Sequence, residues 1–176
     1  QAAKDLYDTN STDVNQSIVY KNEAQLQAGI ALAALQNAQT IKITAELAVA
    51  ANLALDAKVA RIQAIVTTIS KLDSNVSAQL SDVNTSVVSE ALATIFTLNS
   101  AYDLGTIVTD ANNSATEALS LLSEAQAAAA LVTDAKATAV QAFNDVNETA
   151  ALAAQTSAEA AFTTFKLKFT AAGAEK

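Results

Sequence analysis

The sequence predicts an all-α protein: an elongated antiparallel helical bundle, coiled-coil-like, with about three to five long helices around an alanine-rich core. Three observations predict it. Pro is absent and Gly occurs three times in 176 residues, so the strongest breakers of regular structure are nearly missing. Ala, the best helix former, is the commonest residue. Apolar residues recur at steps of three and four along most of the chain.

Taken in order, residues 1–11 read as a flexible N-terminal segment, 12–172 as one helical domain and 173–176 as a tail. Helices are expected at 12–36, 40–72, 76–100, 114–143 and 148–171, with neighbours free to fuse. The first stretch is apolar on two lines, Leu26, Ile30 and Ala33 on one, Leu32, Leu35 and Ile43 on the other. A helix apolar over so wide an arc is either central in a bundle or covered by another subunit. "LQNAQT" (35–40) is a weak break.

In the middle, Ile65, Ile69, Leu72, Val76, Leu80, Val83, Val87 and Ala91 form a stripe. Its mean step is nearer 11/3 than 7/2, which predicts an almost straight helix with little supercoil. "KLDSNVS" (71–77) has turn composition, but the stripe runs through it. The best turn is "SAYDLGT" (100–106) with "TDANNS" (109–114): Gly105 is a candidate C-cap, and Asp110 or Ser114 a candidate N-cap. A second stripe, from Leu121 through Ala125, Ala128, Val132, Ala135 and Ala139 to Phe143 and Ala153, is mostly Ala, so a neighbouring helix can approach closely. The C-terminal "FTTFKLKF" puts Phe162, Phe165 and Phe169 on one helical face. That face either packs on the bundle or forms a contact with another subunit, a ligand or a membrane.

Composition excludes much chemistry. With no His and no Cys, the commonest general base, the thiol nucleophile and the usual zinc ligands are gone. No glycine-rich phosphate loop can be built from Gly29, Gly105 and Gly173. Carboxylates at helical spacing, such as Glu117 and Glu124, read as a solvated face. The expectation is a non-enzymatic chain with no cofactor and no metal. A net charge of −8, with no Lys or Arg between Lys71 and Lys136, argues against nucleic acid and anionic membrane surfaces. The longest uncharged run, Ala24–Ile41, holds four Gln and an Asn among its polar residues and is too polar for a transmembrane span.

One motif stands out. Asp-x-Asn-x-Ser/Thr occurs six times, centred on Asn10, Asn15, Asn75, Asn84, Asn112 and Asn147. These are all the Asn-x-Ser/Thr acceptors in the chain, and each has Asp two residues before the Asn. Asp makes up only ten of the 176 residues, so coincidence at all six is not credible. Calcium ligation does not explain the pattern, because no copy has the Gly at position six and Glu at position twelve that such a loop needs. Helix capping explains some copies but not the fixed order of three polar residues. The motif resembles the extended N-glycosylation acceptor of the bacterial single-subunit oligosaccharyltransferase, in which an Arg of the enzyme contacts the acidic side chain. That resemblance covers only the six short segments and carries no fold. It implies glycans on all six Asn, export to the cell surface or outside it (with the periplasm as the alternative), and a bacterial source. A chain starting at Gln1 fits a mature exported product. A helical, glycan-bearing chain with little chemistry leads to the expectation of a self-associating structural subunit of a filament, sheath or coat. A monomeric bundle binding lipid or another apolar ligand is the alternative.

Overall fold

The computed structural model describes the backbone of residues 1–174, and the side chains of all of these except 6, 7, 9, 10, 12 and 174. Four α-helices follow one another: α1 (Ala2–Ser81), α2 (Ser86–Tyr102), α3 (Thr106–Asn144) and α4 (Glu148–Ala174). No strand occurs among the described residues. The fold is all-α, as the composition predicts.

The chain divides into two units, Gln1–Ala54 and Leu55–Lys176, where the sequence suggests a single domain over 12–172. The first unit is one stretch of α1, and its helix begins at Ala2, so residues 2–11 are helical rather than frayed. Nearly all its described side chains are exposed, including Leu26, Ile30, Leu32, Leu35 and Leu47.

The expected breaks at 35–40 and 72–76 are absent, because the polar side chains that threaten the helix are engaged elsewhere. The Thr40 hydroxyl donates to the Gln36 carbonyl at 3.0 Å, and that of Ser74 donates to Ser70 at 2.9 Å. Asp73 is drawn to α3, where Lys136 Nζ lies 2.8 Å from its carboxylate. A Ser or Thr that bonds one turn back stops competing for its own local backbone. The break comes instead at 82–85, where a helix over 76–100 is expected. There Asn84 Oδ1 accepts from the Ser86 N–H at 3.0 Å, drawing the chain out of α1 and into α2.

The second turn is also assigned differently. Asp103, at φ 50° and ψ 71°, holds the left-handed position that ends α2, and Gly105 precedes α3 rather than capping α2. Asp110 and Ser114 lie inside α3, not at its start. Gly105 sits at φ 58°, ψ −124°, a conformation that L side chains rarely adopt. Nothing lies within 4 Å of a Cβ built there. Gly105→Ala should therefore cost about 1–3 kcal/mol from backbone strain alone, read as a lowered thermal midpoint.

In the second unit, residues 55–81 of α1 pack with α3 and α4. Ile62, Ile65 and Ile69 meet Ala135, Ala139 and Ala142 of α3 and Ala151, Ala154 and Ala158 of α4. Farther along, Val76 meets Ala125, Ala128 and Val132, with Ala161 and Phe165. Thus α1 and α4 run parallel and α3 antiparallel to both. The buried positions step 62, 65, 69, 76 on α1, 122, 125, 128 and 129, 132, 135, 139, 142 on α3 and 151, 154, 158, 161, 165 on α4. With half-buried Leu72 in the gap on α1, that is a heptad seam. The stripe expected from sequence averages above 7/2 because it leaves out Ile62 and takes in half-buried Leu80; Ile62, Ile65, Ile69, Leu72 and Val76 keep the heptad step.

Branched residues on α1 face alanines on both partners, so α3 and α4 approach closely across small side chains. Phe165, on the face expected either to pack on the bundle or to contact another subunit or a ligand, is fully buried in this core. Phe162 and Phe169 are half-buried against it, with Phe165 and Phe169 ring centroids 5.3 Å apart. Among the three phenylalanines Phe165 has no surface to offer a partner, and the packed helix end is what the fold shows.

Three ion pairs tie the helices together. Arg61 of α1 grips Glu148 at the start of α4, with Nε–Oε1 at 2.6 Å and Nη2–Oε2 at 3.0 Å. Lys136 and the Thr133 hydroxyl, at 2.8 and 2.7 Å, hold Asp73. Lys168 reaches Glu124 at 2.7 Å. Hydrogen bonding from Lys136, then from Thr133, keeps the Asp73 carboxyl below the usual carboxylate range, and Arg61 does the same to Glu148. A carboxyl whose folded pKa is depressed stabilises the fold above its unfolded pKa, and that contribution is lost as pH falls through the folded value. Unfolding followed from pH 7 downward should show stability falling below about pH 4. Asp73→Asn should flatten that fall and cost about 1–2 kcal/mol at pH 7, since the carboxylate is only 14% exposed.

Candidate glycan acceptors and their surroundings

Five of the six acceptor asparagines have described side chains, and all five are exposed: Asn15, Asn75, Asn84, Asn112 and Asn147. The side chain of Asn10 lies outside the described residues. A bulky hydrophilic modification requires such exposure.

The backbone around them differs. Asn15 and Asn75 lie within α1, and Asn112 lies in the second turn of α3. Asn84 and Asn147 occupy the turns before α2 and α4. Both turn residues act as helix starters, Asn84 through Ser86 and Asn147 by accepting the Ala150 N–H at 3.1 Å. Because the donors are backbone N–H groups, the acceptor is Oδ1 in each case. Each amide nitrogen, the atom to which an N-linked sugar is joined, is thereby turned away from the capping bond. Capping and glycan acceptance use opposite ends of the same amide.

The acidic residues two positions upstream also differ. Asp13, Asp82, Asp110 and Asp145 are exposed. Asp145 accepts from Gln141 Nε2 at 3.0 Å. Asp73 is half-buried in the Lys136 and Thr133 contacts described above. Asn75 itself is hydrogen-bonded to Gln79 one turn on. In the folded chain this one acceptor has its acidic partner tied to another helix.

The sequence gives no sign of the inter-helix ion pairs. Arg61 and Glu148 are 87 residues apart and Lys136 and Asp73 are 63 apart, so only the helix order brings them together. Asn99 is another residue that sequence reasoning misses: its Oδ1 accepts the Leu104 N–H at 2.8 Å and closes the α2–α3 turn.

Among the described residues no group of three His, Cys, Asp or Glu is placed to hold a metal ion. No helix among them is long and apolar enough to cross a membrane. Neither a protein-family model, nor a curated protein, nor a solved structure matches this chain.

Proposed function

We propose that this chain is an exported, N-glycosylated, non-enzymatic structural protein that self-associates into an extracellular filament, sheath or surface coat. The observation that carries it is the set of six Asp-x-Asn-x-Ser/Thr acceptors, with every describable Asn exposed to solvent. The apolar surface is distributed in a way that supports the second part. The core of residues 55–176 is covered, while Leu26, Ile30, Leu32, Leu35 and Leu47 of the first unit are exposed. Sugars on exposed acceptors and aliphatic rows that favour burial suit a displayed, assembling subunit. Two measurements on material from its native source test it. Intact mass should exceed that of the bare polypeptide by carbohydrate, and sedimentation should show concentration-dependent assembly. A bare polypeptide mass defeats the glycoprotein reading, and a strict monomer at high concentration defeats the structural one.

A further inference from the structure

We infer that assembly is head-to-tail, with residues 24–41 of one copy laid into the groove between α2 and the first turns of α3 of the next. The inference rests on the self-associating reading and names its surface.

The α3 seam carries it. From Leu122 onward this seam is covered by α1 and α4 and is dry. The same seam continues toward the start of α3 through Ala118, Ala115, Ala111 and Val108, again in steps of four and three. Over this stretch α2 lies against α3, bordering a groove with Val88, Leu92 and Ile95. All of these residues are only half-buried, and α2 has no fully buried residue. A heptad seam that three helices close in one half of the unit is lined by two in the other half. One more apolar helix would complete it.

Charge selects which helix. Residues 82–117, which form α2 and the first turns of α3, carry Asp82, Glu90, Asp103, Asp110 and Glu117 and not one Lys or Arg, so two such segments repel each other. Ala24–Ile41 carries no charge at all. Its apolar residues are exposed on more than one side. Length agrees as well: this uncharged run spans ~27 Å as helix and the 17 residues of α2 span ~26 Å. Asn112 is exposed and does not line the groove, while Asp82 and Asn84 line it beside the start of α2. Because the two surfaces are different patches, the contact is heterologous, and when its rotation does not close a ring it propagates as a filament.

Complementation of two full-length variants tests this. Val87→Glu with Ala91→Glu puts charge on the groove at two residues already exposed. Ile30→Glu, Leu32→Glu and Leu35→Glu does the same on the first unit, also at exposed positions. Helicity by circular dichroism checks that both variants fold. In analytical ultracentrifugation each variant alone should be monomeric, and an equimolar mixture should give a 1:1 dimer that grows no further. Continued assembly of either variant alone, no pairing in the mixture, or a co-purifying lipid that occupies the groove overturns the inference while wild-type self-association stands. A monomeric wild type overturns both.

Discussion

Phe165→Ala is expected to lower the unfolding free energy by about 3–5 kcal/mol in urea denaturation followed by circular dichroism. Phe165 is fully buried, and its neighbours in the core are Val76, Val132 and four alanines. A cavity costs most when its walls cannot collapse inward, and alanine has no longer side chain to swing into the space. Partial repair by movement of Phe162 and Phe169 is the competing effect, since both pack beside it. A loss below about 1 kcal/mol would mean that these two rings refill the site and that Phe165 is not the anchor of this end of the bundle.

Removing the acid from an acceptor is expected to be all-or-none. In the native source, Asp82→Ala should abolish carbohydrate at Asn84 and leave the other sites occupied, read by glycopeptide mass spectrometry. Retention of the sugar would show that the upstream Asp is not recognised and would remove the reason for assigning the bacterial-type acceptor. Folding order separates the sites further. Asp82 is exposed in a turn, whereas Asp73 is held by Lys136 and Thr133 and Asn75 lies inside α1. Offered the folded, unmodified chain, an oligosaccharyltransferase of that type should modify Asn84 readily and Asn75 only after denaturation. Equal modification of both would show that the Asp73 contacts do not restrict access.

How much of this was readable from residues alone depends on where each signal is stored. The helical class lies in composition, because the absence of Pro acts locally at every residue. The start of α4 at Glu148 matches the expected helix over 148–171. The continuity of α1 through "KLDSNVS" was only half readable: the stripe runs through it, but what keeps Asp73 from forming a turn is a lysine 63 residues away. The heptad period was obscured because the stripe leaves out buried Ile62 and takes in Leu80, which is only half-buried. The acceptor motif was fully legible as a pattern. Its solvent exposure was not, and neither was the second use of Asn84 and Asn147 as helix starters. The fate of the phenylalanines turned on packing order, which a helical wheel does not contain. A face that looks available on one helix was taken by the two beside it.

An alanine-lined seam has a thermodynamic consequence. The heat capacity of unfolding grows with the apolar area uncovered, and an alanine uncovers little. Residues 55–176 bury Ala at ten of their seventeen core positions and should show a heat capacity increment below the usual ~12–15 cal/mol/K per residue. A small increment flattens the curve of stability against temperature, so this bundle should hold nearly constant marginal stability from near freezing to well above ambient.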